Sequence, residues 1–145
     1  MSHVVKVETI VESLDDLKAA VKVEGFEFRE NQRTYRWYGR LVGDSALPEG
    51  VTEEELGKCE HAIRVPGASY EVGVVRRKDG KGYELRYDFW GAGGLKVALG
   101  GEKAERIVQA YGVARVVSQA RRLGHIVEST TKTADGMVRL VLRAR

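Results

Sequence analysis

A chain of 145 residues, 43% hydrophobic and 31% charged, fits one globular domain with a packed core and excludes a disordered chain. Its single cysteine, Cys59, excludes an internal disulfide and any zinc site built from several cysteines. The net charge of +3, from 24 basic and 21 acidic side chains, is a mild excess.

Residues 4–10 are β-branched and read as a strand. Ser13 stands before Leu14 with Asp16 three positions on, a capping arrangement that opens a helix carrying Leu14, Leu17, Ala20 and Val21 at helical spacing. Gly25 ends it. Phe26 and Phe28 alternate with Glu27 and Arg29, and after Glu30-Asn31-Gln32 a strand is expected over 35–38, which predicts a hairpin. From 41 to 59 the pattern breaks at Gly43, Pro48-Glu49-Gly50 and Glu53-Glu54-Glu55, with Thr52 placed to cap one helical turn. Residues 41–60 therefore read as an inserted loop, long enough to suggest a task of its own, or else a surface insertion with none.

A short strand over 61–65 stops at Pro66-Gly67, and a second over 70–77 turns through 78–82. The strand over 83–90 alternates most cleanly. Tyr83, Leu85, Tyr87 and Phe89 share one face, while Glu84, Arg86, Asp88 and Trp90 share the other. The first face is expected on the core, and the second is expected to be open or covered by a partner. Gly91-Ala92-Gly93-Gly94 and Gly100-Gly101 precede a helix over 102–123, with Ile107, Ala110, Tyr111, Ala114, Val117 and Ala120 as its buried stripe and Gly124 closing it. Strands over 125–131 and 137–142 flank an Asp135-Gly136 turn.

Strand, helix, glycine, strand and turn thus occur twice in the same order. The expected fold is α+β: one domain over 1–145, with a curved, mainly antiparallel sheet and two main helices on one face. A pseudo-duplicated β-α-β-β unit and a middle hairpin would build it.

Few residues suggest chemistry. The glycines at 91–94 could offer backbone N–H groups to an anion near Lys96 and Lys103, but match neither the phosphate-loop nor the dinucleotide pattern. His3, His61 and His125 are scattered, so a metal site would need all three to converge with an acid such as Asp88; no metal or cofactor is expected. Cys59 and His61 lie among acidic residues that oppose a thiolate, which makes Cys59 structural. Glu84 and Asp88 stand about 13 Å apart along a strand, too far to act as a carboxylate pair on one bond. Arg86 between them suggests a charge ladder instead. Trp90, beside Asp88 and the glycines, is the most suggestive single residue: a contact anchor, or an aromatic cap on the core. Late basic residues, Arg115, Arg121, Arg122, Lys132, Arg139, Arg143 and Arg145, offer a nucleic-acid surface or merely a solvated helix face and strand edge. No apolar run approaches the roughly 20 residues that cross a bilayer. The opening Met1-Ser2-His3 leads straight into a strand too short and charged for a secretory leader, so a reducing, cytoplasmic setting is expected.

The start Met1-Ser2-His3, the block from Tyr83 through Asp88-Phe89-Trp90-Gly91, the helical Gln109-Ala110-Tyr111 and the ending Gly136-Met137-Val138-Arg139-Leu140-Val141 resemble the hypothetical chloroplast reading frame 35 family of bacteria, plastids and phages. Asp-Trp-Trp-Gly is common in that family where this chain has Phe89, a conservative departure, and plastid forms shorten or lack the 41–59 segment. The resemblance brings no established activity. It implies an accessory role beside AAA+-type ATPases.

The leading expectation is a non-enzymatic adaptor that docks on a partner protein, an AAA+-type ATPase by resemblance. Its surface would comprise Glu84, Arg86, Asp88, Trp90, Gly91 and the long loop. The alternatives are a nucleic-acid-binding module using Arg115, Arg121, Arg122, Arg139 and Arg143, and a small-molecule enzyme or ligand binder. The last would use the loop from Gly91 to Gly94 with Asp88 and His3 or His125.

Overall fold

A computed structural model describes residues 3–41, 46–134 and 137–144. Met1-Ser2, Gly43, the Asp135-Gly136 turn and Arg145 lie outside the described residues. In chain order the elements are β1 (Val4–Val11), α1 (Leu14–Val23), β2 (Glu27–Arg29), β3 (His61–Arg64), β4 (Glu71–Arg76), β5 (Tyr83–Asp88), α2 (Leu95–Ala98), α3 (Glu105–Arg122), β6 (His125–Lys132) and β7 (Val138–Ala144). Single 3-10 turns stand at Glu53–Glu55 and Gly91–Gly93. Five strands form one antiparallel sheet in the order β1-β5-β4-β3-β2, and β6 with β7 forms a separate two-stranded ribbon. The protein is α+β, with an open sheet and α1 and α3 packed together on one face of it.

Local chemistry sets the ends of α1. The Ser13 hydroxyl accepts a hydrogen bond from the Asp16 N–H at 3.2 Å, a cap worth about 1 kcal/mol. At the other end Gly25 N–H donates to the Lys22 carbonyl and Phe26 N–H to the Val21 carbonyl, at 3.0 and 2.9 Å, the paired bonds of a Schellman stop. Asp16 also serves the tertiary structure. Its buried carboxylate accepts from the Ser118 hydroxyl at 3.0 Å and from Arg115 at 3.3 Å, locking α1 to α3. Beneath the two helices, Val7, Ile63, Val72, Val74, Leu85 and Tyr87 of the sheet meet Leu17, Val21, Leu99, Ile107 and Tyr111. This is the face on which Tyr83, Leu85 and Tyr87 were expected.

The other sheet face is also covered, by the chain's own residues 35–41 and 46–59. Tyr35 N–H donates to the Gly57 carbonyl and Cys59 N–H to the Arg33 carbonyl, both at 2.9 Å, so the segment leaves and returns at one place. Val51 and Leu56 are buried against Val4, with Trp37, Leu41 and Leu47 packed around them. The Tyr35 ring packs against Gly73 of β4, where a β-carbon would overlap it, so only glycine admits it.

Several expected elements differ. Residues 35–38 form no strand, because they cross the sheet face as part of this cover; β2 pairs instead with β3, Phe28 opposite Ile63. The β-α-β order recurs as β1-α1-β2 and β5-α3-β6, but the expected hairpin closes only in the later half, as the separate ribbon. The long helix starts at Glu105 rather than 102, and the glycine-rich stretch before it holds the one-turn α2. Ile107, Tyr111 and Ala120 are buried, whereas Ala110, Ala114 and Val117 are half-buried.

Candidate functional site

The polar face of β5 is internal. Glu84 is 5% exposed, Arg86 2% and Asp88 0%, which corrects the expectation of a charged surface open to a partner. The alternation holds, but residues 35–41 and 46–59 lie over this face. Arg86 donates to Glu84 and to Glu55 at 2.9 Å each, and Lys78 donates to Glu55 at 2.6 Å. The Arg86 guanidinium and the Glu84 carboxylate therefore share a nearly dry space, and the half-buried Glu55 with a surface ammonium closes the network. The Tyr35 hydroxyl, buried beside this group, finds no partner among the described residues.

Glu55 ties the cover to the sheet, and its ionisation records the grip. The hydrogen bond from Lys78, and then that from Arg86, outweigh burial and hold its carboxyl down to about 2. A depressed folded-state value adds stability that is fully present above the unfolded value near 4.5 and is lost as pH falls towards 2. Glu55→Gln should therefore lower the unfolding midpoint at pH 7. The gap to wild type should narrow between pH 4.5 and 2 in parallel denaturant titrations.

Asp88 does different work at the end of the strand. Its Oδ1 accepts from the N–H groups of His3 and Trp90 at 3.0 Å each, and its Oδ2 accepts from Tyr38 N–H at 3.1 Å. One carboxylate thus gathers the start of the chain, the cover and the turn after β5. What it presents outward is aromatic. The Tyr38 ring meets Trp90 edge-on at 5.4 Å, and Tyr70 approaches Trp90 from another side at 6.5 Å. Tyr70 itself presses on Gly93, where a β-carbon would lie 2.0 Å from the ring. Phe89 carries Lys96 over its face at 5.1 Å, and Arg40 stands 5.7 Å from the Tyr38 ring centre. Trp90, Tyr38, Tyr70 and Phe89 are all half-buried, and Gly91 and Ala92 are exposed beside them. Among the described residues Arg40 and Lys96 enter no ion pair.

Of the expected docking residues, the structure therefore leaves Trp90 and Gly91 at the surface and withdraws Glu84, Arg86 and Asp88 beneath it. Sequence reasoning missed Tyr38 and Tyr70. Their signal was present as aromatics in segments rich in turn residues, but nothing in the spacing tied 38 and 70 to 90.

The other candidates are engaged structurally. Gly93 N–H donates to the Trp90 carbonyl and Gly94 N–H to the Gly91 carbonyl, so these glycines turn the chain rather than cradle an anion. The Cys59 thiol donates to the Gln32 carbonyl, and burial, with the charge of Glu71, pushes it up to about 12. His61 Nδ1 accepts from Asn31 N–H at 2.9 Å, and burial lowers its pKa. Among the described residues no three His, Cys, Asp or Glu side chains are grouped to hold a metal ion. Arg115 bonds Asp16 between the helices, and Arg143 pairs with Glu128 across the ribbon at 2.8 Å. Arg121 and Arg122 are exposed at the end of α3, and Arg139 on β7. No helix among the described residues is long and apolar enough to cross a membrane.

The described residues thus form an α+β domain that folds its own connection over its charged sheet face and shows an aromatic corner at one end. Over residues 13–141 the chain matches a family described as a protein of unknown function, DUF1257, and it belongs to that family. No curated protein and no solved structure gives a match.

Proposed function

We propose that this protein is a non-enzymatic adaptor that docks on a partner protein through the corner formed by Trp90, Tyr38, Tyr70 and Gly91. The observation that carries the reading is Asp88. A fully buried carboxylate bonded to three backbone N–H groups fixes the backbone at Tyr38 and Trp90, whose half-buried rings meet edge-on, the pre-organised anchor that binding sites use. Arg40 stands beside Tyr38 at the edge of the corner, so the complementary surface is apolar at its centre and acidic at that rim. The buried ion network and Asp88 act as scaffold, not as contact.

The resemblance of residues 83–91 to the chloroplast reading frame 35 proteins supports an AAA+-type ATPase as that partner, in a cytoplasmic setting. Nucleic acid is the less favoured ligand, since Arg115 is held between α1 and α3.

Gly91→Glu separates docking from folding. A β-carbon at Gly91 meets nothing within 4 Å, so the new side chain stands in solvent on the rim of the corner. With the partner identified from the native host, Gly91→Glu should weaken binding by about tenfold or more at an unchanged unfolding midpoint, as should Trp90→Ala with some loss of stability. Equal affinity of wild type and Gly91→Glu in a calorimetric titration would remove the corner as the docking site.

A further inference from the structure

On the reading that docking takes place at the aromatic corner, we infer that the partner carries an acidic stretch beside its anchor residue. A cationic groove formed by Arg29, Arg36 and Arg64 receives the carboxylates of that stretch. The groove has a volume of about 390 Å³, and Gln32, Ser69 and Glu71 line it beside the three arginines.

Strand pairing brings these charges together and leaves them unmatched. β3 lies between β2 and β4, with Arg64 opposite Glu27 on one side and opposite Glu71 on the other. Cross-strand neighbours of opposite charge ordinarily pair. Here both carboxylates are engaged elsewhere. Glu27 stands 3.2 Å from Arg29 Nε, while Glu71 Oε1 accepts from Gln32 Nε2 at 3.1 Å and from Arg36 N–H at 3.0 Å. Arg64 and Arg36 are exposed, and neither enters an ion pair among the described residues. Arg29 is half-buried; its Nε is shut off from solvent, and the contact with Glu27 lacks hydrogen-bond geometry. Guanidinium groups around one groove repel each other, and a bound anion removes that cost.

The groove and the corner share backbone at two places. Arg36 stands two residues before Tyr38, and Ser69 immediately before Tyr70. The wall between them is fixed, since Glu71 N–H also donates to the Arg36 carbonyl at 3.0 Å. Two residues of extended chain span about 7 Å, so an acidic side chain about two or three positions from the partner's anchor reaches the arginines. Glu71 in the wall opposes a compact dianion such as phosphate. Separate carboxylates along an extended chain can each meet an arginine away from it, in the forked geometry that guanidinium groups favour.

NMR titration of the full chain tests this, with the arginine Nε–H and tryptophan indole signals as the readout. The probes are a capped peptide in which one leucine and one glycine precede three glutamates, the same peptide with glutamines, and inorganic phosphate. The glutamate peptide should shift the signals of Arg29, Arg36 and Arg64 together with that of Trp90, and at low salt bind about tenfold more tightly than the glutamine peptide. Arg36→Gln with Arg64→Gln should abolish that preference at an unchanged unfolding midpoint, because neither side chain has an ion-pair partner to lose. Equal binding of the two peptides, or a double variant that keeps the preference, overturns the acidic stretch, and a Trp90 shift common to both peptides would then leave docking at the corner intact. Arginine shifts with Trp90 unmoved overturn the joined surface and count against the corner itself. A glutamate peptide that moves no signal overturns the inference, as does phosphate that binds the arginines more tightly than the peptide.

Discussion

Asp88→Ala should be the most damaging single substitution in the protein, lowering the unfolding free energy by about 3–5 kcal/mol and the thermal midpoint by roughly 10 °C. The alanine removes the acceptor of three N–H groups at once, those of His3, Tyr38 and Trp90. A buried donor left without an acceptor costs about 1–3 kcal/mol, and bonds to a charged acceptor are the stronger kind. Asp88→Asn gives a graded result. Its one carbonyl oxygen can still serve His3 and Trp90, while its amide N–H₂ faces the Tyr38 N–H, donor against donor. The asparagine variant should therefore keep the β5 turn and release the cover near Tyr38. Denaturant unfolding of the three proteins, with hydrogen exchange at Tyr38 and Trp90, reads both effects.

Arg86→Ala should cost nearly as much, about 3–5 kcal/mol, for a different reason. It strands the Glu84 carboxylate in a space where that residue is 5% exposed, and it takes from Glu55 one of its two cations. The informative comparison is the double change Arg86→Met with Glu84→Met. Replacing a buried ion pair with apolar side chains of similar volume is often neutral or stabilising. The double variant should recover most of the lost stability, which would show that charge compensation, rather than packing volume, is what the single change destroys. A double variant as unstable as Arg86→Ala would point instead to the geometry of the hydrogen bonds. Neither result bears on docking, because neither residue reaches the surface.

The strands of the main sheet were legible because their signals are local. Alternation over 83–90, the turn at 78–82 and Pro66-Gly67 after β3 each decide structure within a few residues. The ends of α1 were legible for the same reason, Ser13 and Gly25 acting through bonds of three to five residues' reach. What failed was long-range. Aromatics at 35–38 alternate as a strand does, yet Tyr35 spends its ring on Gly73 and Tyr38 its N–H on Asp88. No periodicity separates a segment that pairs in a sheet from one that crosses it.

The same limit governed the site. Glu84, Arg86 and Asp88 repeat at every second position whether water or other protein groups satisfy them, and a buried ion network reads in sequence as a solvated face. The acidic run Glu53-Glu54-Glu55 looked like solvent-exposed loop, but its last member supplies a partner for Arg86. Trp90 and Gly91 were legible because a large aromatic beside a glycine turn is locally unusual. Tyr38 and Tyr70 lie 52 and 20 positions away from Trp90, and only the fold brings them to it.

The chain has two tryptophans, one on each side of the question: Trp37 packs within the cover over the sheet, and Trp90 stands in the aromatic corner. Their indole N–H resonances, followed by NMR as the protein partner is added, test the central claim directly. Docking at the corner predicts that the Trp90 signal shifts on binding and the Trp37 signal stays. A shift of Trp37 with Trp90 unmoved would mean that the cover opens and the charged face of β5 is the contact surface after all, and binding that moves neither would place the contact elsewhere.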